Sequence, residues 1–433
     1  MIDDAPSPRP IVSRRELLAR AGGLAAAAMV PSTLAPDLAA TAPRDGARAP
    51  TPLQEAFPRK ADFTIPRGVR YLNGAFMHPM PNVVRDAVRD YADRRAGFTT
   101  RTSDDPDISA TVKAEFAALI NARPHEISFV PNTSTGEVLV VHGLGIPGSG
   151  GNVVTDALHF EGAIVHLQSL ERDAGLDLRV VMPRDGRIDV EDIARVVDRD
   201  TRLIELSLVA MYNGFQHDLK AVCDLAHAHG AYVYADIVQA VGAVPFDVRE
   251  SGVDFAACSS FKWLMGDLGL GFLYVREDLI GRVVRRTQTG YHSVSSYATH
   301  FLPSDAPGPE PFRWTLGTSA SAHYEVGSVA GSARAALSAA IPYLRGLDPG
   351  RIQVHRQPLL RRLRDELPRL GFVCVTPQGS TSPIITFATE RTDVADRFAR
   401  AGVDARVADG WVRFSPSVYN DLSDIDRALE ALS

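Results

Sequence analysis

The sequence predicts an α/β protein in which a mostly parallel β-sheet carries helices on both faces and a smaller C-terminal α/β domain follows. Helical and strand patterns alternate to about residue 290, as expected when crossover helices join parallel strands. The apolar runs are short, rich in β-forming residues, and end in polar residues. With 433 residues, 45% of them apolar, the chain can bury a sizeable core.

Seven runs have the composition of buried strands: Ile127–Val130, Asn152–Thr155, Leu178–Val181, Leu203–Leu208, Ala231–Ala235, Phe255–Ser259 and Leu270–Val275. Ligands of such sheets bind beyond the carboxyl ends of the strands. Polar residues that follow a strand are therefore the candidate site residues.

Composition and charge exclude several classes of protein. The formal net charge is −6, with acidic and basic residues interspersed, and no basic cluster indicates a nucleic acid or a membrane surface as partner. Cys223, Cys258 and Cys374 lie far apart, so the sequence predicts neither a disulfide framework nor a zinc site. The histidines near residue 220 are scattered on a helical region, and we expect no metal site.

The N-terminal segment has the pattern of an export signal. Arg14 and Arg15 precede a weakly apolar run at 21–30 that is too short to span a bilayer, and 40–42 offers small residues for cleavage. This resembles a twin-arginine (Tat) signal, which exports folded proteins to the periplasm or beyond. The alternative is a disordered tail.

The chain is expected to divide into a signal peptide, a linker, a large domain and a small domain, at residues 1–42, 43–64, 65–324 and 325–433. The segment 55–80 should join the two domains. A helix is predicted after Met80, with a proline at its start.

The later elements are predicted as follows. Residues 291–320 are rich in Pro, Ser and Gly and should form loops. An Ala-rich helix is expected over about Glu325–Leu344, and a βαβ-like tail from Arg351.

Two strand ends carry the residues with the clearest chemistry. The run 231–235 delivers Asp236, with Gln239 one helical turn on, and the run 255–259 delivers Ser259 and then Lys262. Lys262 is the only lysine after Lys220 in an arginine-rich chain. An amine near a carboxylate is what Schiff-base chemistry with pyridoxal 5'-phosphate (PLP) requires.

Each of these residues has a definable part in such chemistry. A carboxylate against a pyridine nitrogen keeps it protonated, which at about 3 Å and a dielectric near 20 is worth roughly 5 kcal/mol. Asp236 can do this, Gln239 can donate to the ring's phenolic oxygen, and Lys262 can form the internal aldimine and then act as general base. The alternative for Lys262 is a surface lysine paired with Asp267.

A second strand end offers a phosphate site. Residues 131–137, Pro-Asn-Thr-Ser-Thr-Gly-Glu, follow the run 127–130 and begin a helix, where amide groups, hydroxyls and the helix dipole favour an anion. The alternative is a plain N-cap at Thr133 or Ser134. After the next strand, His159 and Phe160 compete as the aromatic that could stack on a pyridine ring.

Several motifs together resemble the class V aminotransferases of PLP fold type I, the superfamily of cysteine desulfurases, kynureninase and isopenicillin N epimerase. The resemblance runs from about residue 65 to the end and rests on the motifs at 71–75, 132–136, 236–239, 259–263, 317–318 and 412–420.

The resemblance implies specific roles and a homodimer. Phosphate contacts fall on Thr133, Ser134 and Ser259, and Thr318 should reach the phosphate of the neighbouring subunit. Ring stacking falls on Phe160. The substrate-binding residues are implied to be Arg413, Arg406 and Asn73. The alternative for the two arginines is surface ion pairing.

Two departures from the desulfurase pattern bear on function. No cysteine follows Arg406, where desulfurases carry their nucleophile, which argues against sulfur transfer through a persulfide. Met211 replaces an asparagine that desulfurases place near the phenolic oxygen.

The expected function is that of an exported PLP enzyme acting at the α-carbon of an amino acid or an amino-acid-derived metabolite. Transamination or a related tailoring reaction of this small amino-group substrate is the first hypothesis. A lyase or epimerase of the kynureninase, cysteine sulfoxide lyase or isopenicillin N epimerase type is the alternative, and a non-catalytic ligand-binding protein is the third. We expect no nucleic-acid partner and no stable membrane insertion.

Overall fold

The computed structural model of the protein describes residues 56–97, 107–300, 303–306, 308–310 and 312–433. The signal peptide predicted at 1–42 and the linker up to residue 55 lie outside these residues. The described helices are α1 Asn82–Ala96, α2 Ile108–Leu119, α3 Thr133–Gly143, α4 Glu161–Ala174, α5 Val190–Ala194, α6 Leu219–Ala228, α7 Val248–Ser251, α8 Ala320–Tyr324, α9 Gly331–Leu347, α10 Pro349–Glu366, α11 Val394–Ala401 and α12 Leu422–Leu432.

The described strands are β1 Arg70–Tyr71, β2 Ile127–Val130, β3 Asn152–Asp156, β4 Asp177–Val181, β5 Thr201–Ser207, β6 Tyr232–Asp236, β7 Phe255–Ser259, β8 Gly271–Val275, β9 Val294–Thr299, β10 Phe312–Leu316, β11 Val373–Cys374, β12 Ile385–Ala388, β13 Val403–Asp404, β14 Arg406–Ala408 and β15 Trp411–Phe414. Among these described helices, none is long and apolar enough to cross a bilayer.

A seven-stranded sheet in the order β2-β8-β7-β6-β5-β3-β4 forms the centre of the molecule. Only β8 runs against its neighbours, so the predicted mostly parallel sheet is confirmed. Successive residues of β7 enter different apolar clusters, with Ala256 and Cys258 in one and Ala257 in the other. The sheet is therefore buried on both faces, which explains its continuous apolar runs.

The seven predicted strands all form. The bounds at Ile127–Val130 and Phe255–Ser259 agree with the prediction, and the other strands shift by one or two residues at their ends. Strand ends are the least certain part of such predictions because local pairing decides them.

The prediction of a purely loop-like segment at 291–320 is wrong, because β9 and β10 form an antiparallel hairpin there. Tyr297 and Trp314, which face each other across the hairpin, are 59% and 56% exposed. The β9 sequence, Val-Ser-Ser-Tyr-Ala-Thr, lacks the apolar alternation typical of a strand, but the β10 sequence, Phe-Arg-Trp-Thr-Leu, has it. The surrounding Pro, Ser and Gly residues favoured the loop prediction over this short signal.

Two further predictions near the C-terminus need correction. The Ala-rich helix begins at Gly331 and not at Glu325, because Glu325 ends the preceding helix with an extended backbone, φ −91° and ψ 122°. The buried Glu325 carboxylate accepts from Lys113 Nζ at 2.6 Å and from the Phe129 amide at 2.9 Å. The βαβ-like tail is instead an antiparallel sheet in the order β11-β12-β15-β14, and Arg351 lies inside α10. Helix and strand periods do not specify strand direction.

The antiparallel sheet is joined to the start of the large domain. β1 pairs with β13, and Asn73 bridges to Ser415. The apolar face of α9, including Leu337 and Ile341, belongs to the core of the main sheet. The domain boundary at residue 325 stays a prediction.

Candidate active site

The carboxyl ends of three neighbouring strands bring polar side chains to one edge of the main sheet. Ser207 at the end of β5 pairs with Asp236 at the end of β6, and Asp236 pairs with Ala257 of β7. Ser259 ends β7. The predicted convergence of Asp236 and Ser259 at the edge is therefore observed, because parallel strands end on the same side.

Ser260 fixes the turn that carries Lys262. Its hydroxyl donates to the Leu270 carbonyl at 2.7 Å, and its amide donates to the same carbonyl at 3.1 Å. Ser260 is fully buried, and the Gly266 amide donates to its carbonyl at 2.9 Å. The paired serines thus have separate tasks, since Ser259 faces the site and Ser260 holds the turn.

Lys262 differs from the other three lysines of the chain in its partners. Lys60, Lys113 and Lys220 each have a carboxylate oxygen within 2.8 Å, whereas Lys262 makes no hydrogen bond or ion pair with any described residue. The predicted alternative, an ion pair with Asp267, is not formed. Burial lowers the pKa of the Lys262 amine, the charge of Asp236 opposes this, and that of Arg413 adds to it.

Asp236 is 8% exposed and has one engaged oxygen. Its Oδ1 accepts the Val238 amide at 2.9 Å, which orients the carboxyl group and leaves Oδ2 available. Burial raises the pKa of Asp236, while the nearby His159 counteracts this. A cationic partner at Oδ2 would restore the charge of the carboxylate.

The start of α3 forms a pocket of donors beside Ser259. Thr133 Oγ1 lies 2.7 Å from Ser259 Oγ, and Ser134 is exposed. The N-cap is Asn132, whose Oδ1 accepts the Thr135 amide at 2.8 Å, so neither Thr133 nor Ser134 is used as the cap. Free amides at a helix start and three hydroxyls suit a phosphate.

His159 and Phe160 occupy different environments. His159 is fully buried, with Nδ1 2.9 Å from Ser207 Oγ and Nε2 3.5 Å from Glu205 Oε1. Phe160 is half-buried, and its amide donates to Ser207 Oγ at 3.2 Å. Phe160 is therefore the aromatic open at this edge, in line with the stacking role expected for it.

Gln239 is 5% exposed and has protein partners at both ends of its amide group. Its Nε2 donates to the Ala75 carbonyl at 3.0 Å, and its Oε1 accepts from Trp263 Nε1 at 2.8 Å. The second hydrogen of Gln239 Nε2 remains unused and is available to the phenolic oxygen of the PLP ring, the acceptor that the sequence analysis predicts.

The three expected substrate-binding residues come together from distant parts of the chain. Arg406 and Arg413 face each other across β14 and β15, and Asn73 bridges to the residue after that strand. Arg413 Nη1 donates to the Met211 carbonyl at 2.7 Å. The two buried atoms Arg413 Nε and Asn73 Oδ1 have no partner within the described chain, as expected of groups that await a ligand.

The two arginines are not equivalent. Arg413 is 6% exposed, and burial, with Arg406 adding to the effect, lowers its pKa to about 10. Arg406 is exposed, with its guanidinium 5.8 Å from the centre of the Phe76 ring. Arg413 thus remains charged near neutral pH in a poorly hydrated place, where a carboxylate is bound most strongly.

Thr318 is not brought to this edge by contacts within the chain. It is exposed in the loop between β10 and α8, and no hydrogen bond of its side chain is found in the described part of the molecule. Its expected contact with a neighbouring subunit stays a prediction.

Four residues near the site were missed by the sequence analysis. Tyr212 donates to Glu161 beside Phe160, and Glu137 and Glu205 are buried in α3 and β5. A single glutamate inside the apolar run 203–208 was the available signal for Glu205, because an unpaired buried carboxyl group is costly and needs an explanation.

The residues present fit PLP. The start of α3 with Ser259 suits its phosphate, the free Oδ2 of Asp236 suits its ring nitrogen, and the unpaired Lys262 suits its aldehyde. Among the described residues no cluster of His, Cys, Asp or Glu could hold a metal ion.

Three comparisons place the chain among known proteins. The family model "Aminotransferase class-V" matches residues 70–427. A probable cysteine desulfurase from Methanothermobacter thermautotrophicus is 28% identical over 78% of this chain and 82% of its own length. The solved structure of a cysteine desulfurase from Thermococcus onnurineus NA1 superimposes with a TM-score of 0.75 at 22% identity, covering 87% of this chain and 97% of that one.

A second solved structure is that of a variant of C-DES, a cystine C-S lyase, with glycine covalently linked to its PLP cofactor. It superimposes with a TM-score of 0.74 at 20% identity, over 87% of this chain and 99% of that chain. The expected α/β fold of the PLP-dependent fold type I enzymes is confirmed by these neighbours.

Proposed function

Because the chain belongs to the aminotransferase class-V family and is therefore a PLP-dependent enzyme, we propose that it acts at the α-carbon of an amino acid or an amino-acid-derived metabolite, with transfer of the amino group as the main reaction. The observation that carries this proposal is the unpaired Lys262 beside Asp236, with the buried Arg413 guanidinium near Lys262. Bound PLP supplies an aldehyde that combines covalently with an amine and a ring that accepts electrons released at the α-carbon.

The side chains of the site divide the remaining work. Thr133, Ser134 and Ser259 would hold the phosphate, and Asp236 Oδ2 would keep the ring nitrogen protonated. Burial and Arg413 lower the pKa of Lys262, so its Nζ can lose a proton and then take one from the substrate α-carbon. Arg413 would orient the substrate by its carboxylate.

The cysteines support amino-group transfer over sulfur transfer through an enzyme persulfide. Cys223 and Cys258 are buried, and Cys374 lies in β11 beside Arg364. Burial raises the pKa of all three thiols. A reactive thiolate needs the opposite shift and an open path to the substrate.

A lyase is the second candidate, because the relatives at 28% identity and below include enzymes described as cysteine desulfurases. The two candidates differ in where the amino nitrogen goes. The purified PLP-bound protein should be incubated with ¹⁵N-labelled amino acids and a 2-oxo acid, and the label followed by mass spectrometry.

Label in the amino acid formed from the added 2-oxo acid supports transfer. Label in free ammonia, or label retained on the shortened carbon skeleton of the substrate, supports a lyase. Lys262→Ala should abolish both while leaving the protein folded. Lys220→Ala, which removes an exposed lysine paired with Asp224, is the matched control and should keep full activity. Turnover by Lys262→Ala equal to that of the control would refute the proposal.

We further propose a homodimer in which Thr318 contacts the PLP phosphate of the partner. The exposure of Thr318 and of the neighbouring Trp314 supports this arrangement. Thr318→Ala should weaken PLP binding without changing the sedimentation of the dimer. A protein that is monomeric and fully loaded with PLP would refute it.

Export by a twin-arginine route is also a proposal, supported by the pair Arg14–Arg15 before the apolar run 21–30. Replacing both arginines by lysine should keep the protein in the cytoplasm while its PLP content stays unchanged. Export of the double variant at the normal level would refute this route.

A further inference from the structure

Arg356 is a buried cation that has no acidic partner among the described residues. It lies in α10 and is fully buried. Its Nη2 donates to the Ala243 carbonyl at 2.6 Å, whereas its Nε and Nη1 are buried without a partner in the described part of the chain. Burial lowers its pKa to about 9. A buried charge that no carboxylate balances is costly, so its presence needs an explanation.

Arg356 connects the two turns that carry Gln239 and Lys262. Ala243, whose carbonyl accepts from Arg356, lies in the turn that includes Gln239. Trp263 directly follows Lys262, and the centre of its ring lies 5.4 Å from the Arg356 guanidinium. A guanidinium over an indole ring at this distance is attracted by the π-electrons, most strongly where water is excluded. One side chain from α10 therefore holds both turns.

Packing fixes the ring of Trp263, which is 1% exposed. A Cβ atom at Gly74 would stand 3.2 Å from its Cη2 atom and 3.3 Å from its Cζ3 atom, so the ring lies directly against the backbone there. The His78 ring meets it edge-on, with 5.8 Å between the ring centres. His78 is neutral in this place, because burial lowers its pKa to about 4 and the charge of Arg356 adds to the effect.

The indole N–H of Trp263 decides which way the amide group of Gln239 points. An indole nitrogen can only donate a hydrogen bond, and a backbone carbonyl can only accept one. The atom of Gln239 that faces Trp263 Nε1 at 2.8 Å is therefore Oε1, and the atom that faces the Ala75 carbonyl at 3.0 Å is Nε2. Without the indole N–H, only the Ala75 carbonyl would hold the amide group, and the unused Nε2 hydrogen would lose its fixed direction.

We propose that Arg356 and Trp263 are positioning residues for PLP, which act through Gln239 on the phenolic oxygen of the cofactor ring. Arg356 holds the ring of Trp263, and Trp263 holds the amide group of Gln239. The inference rests on the proposed function only in its last contact, that of Gln239 with PLP. A purely structural role would make Arg356 important for stability and leave the state of the bound cofactor unchanged.

The contact between Arg356 and Trp263 is tested by a signal that needs no bound cofactor. The chain has three tryptophans, so labelling the full chain with 5-fluorotryptophan gives three ¹⁹F signals, and Trp263→Phe identifies the one from Trp263. Arg356→Met removes the charge, retains much of the side-chain volume and should shift this signal. Arg391→Met is the matched control and should leave it in place, because the Arg391 guanidinium lies 5.7 Å from the centre of the Phe372 ring, a contact of the same kind that does not involve Trp263.

The effect on PLP is tested by the absorbance of the bound cofactor, which reports whether the nitrogen that links it to Lys262 is protonated. A donor to the phenolic oxygen stabilises the negative charge that this oxygen carries when the nitrogen is deprotonated. Loss of the directed Gln239 N–H should therefore raise the pH midpoint of the absorbance change. We expect Arg356→Met and Trp263→Phe to raise it by about one pH unit. Arg356→Lys, which keeps a charge, should raise it by less.

Trp263→Phe keeps a ring beside Arg356 and removes only the indole N–H, so it tests the inference even where Arg356→Met does not fold. An unchanged ¹⁹F signal of Trp263 in Arg356→Met would overturn the inference. An unchanged midpoint in either PLP-loaded variant, or an equal rise in Arg391→Met, would also overturn it. An unmodified protein that binds no PLP would instead overturn the proposed function, and the ¹⁹F result would stand apart from that failure.

Discussion

Replacing Arg413 by methionine tests whether this buried guanidinium binds the substrate carboxylate. Methionine retains much of the side-chain volume and removes the charge. Arg413 is 6% exposed, one of its N–H groups is used by Met211, and its Nε has no partner. With a pKa of about 10 it is charged near neutral pH and can form a two-point contact with a carboxylate.

The expected loss follows from the burial of this contact. Removing one partner of a buried, hydrogen-bonded charge pair costs about 2–5 kcal/mol, which is roughly 30- to 5,000-fold in kcat/KM. The Met211 carbonyl already satisfies one N–H group. We therefore expect Arg413→Met to cost about 3 kcal/mol, which lowers kcat/KM about 150-fold.

The assay compares kcat/KM for the best amino acid substrate with that for the corresponding amine without the carboxylate. Arg413→Met should lose activity only toward the amino acid, and its PLP absorbance should be unchanged. Arg406→Met removes the exposed neighbour and should cost at most about 1 kcal/mol, roughly fivefold. An Arg413→Met protein within about threefold of the unmodified enzyme would refute the assignment.

Three further predictions concern the ring nitrogen, a buried ion pair and the effect of pH. Asp236→Asn should still bind PLP but lose roughly 100-fold or more in kcat, and a smaller loss in steady-state assays would remove Asp236 from the mechanism. Lys113→Ala should lower the free energy of unfolding by about 3–5 kcal/mol, because it leaves the 7% exposed Glu325 side chain without its partner. Urea denaturation measures this free energy. The control, Lys220→Ala, removes an exposed lysine and should change the free energy of unfolding by no more than about 0.5 kcal/mol. Equal losses of stability in the two variants would contradict the reasoning. Burial raises the pKa of Glu205 from 4.5 to about 8, so folding retains a proton that the unfolded chain releases. The contribution of Glu205 to the free energy of unfolding should therefore fall as the pH rises from about 4.5 to about 8. Urea denaturation across this range should show a flatter fall for Glu205→Gln, and the same pH dependence in both proteins would contradict the reasoning.

The strands that lead to the site could be predicted from the sequence, because a strand that is buried on both faces of the sheet needs a continuous apolar run. The same property marks its end, where Asp236 and Ser259 interrupt the run. The position of Lys262 just after such a strand was also readable from the sequence, whereas its role in catalysis stays a proposal. Ser260, in contrast, is part of the turn, and only its two bonds to Leu270 show this.

The sequence by itself determined the α/β class, the strands of the main sheet and the residues at their carboxyl ends, because these depend on patterns within a few neighbouring residues. The tertiary structure decided which distant segments meet there. Arg413 reaches Met211 only through the antiparallel sheet, and Glu137 meets His166 only because α3 and α4 pack together. Such contacts depend on strand order and helix packing between residues far apart in the chain, and no local pattern specifies them.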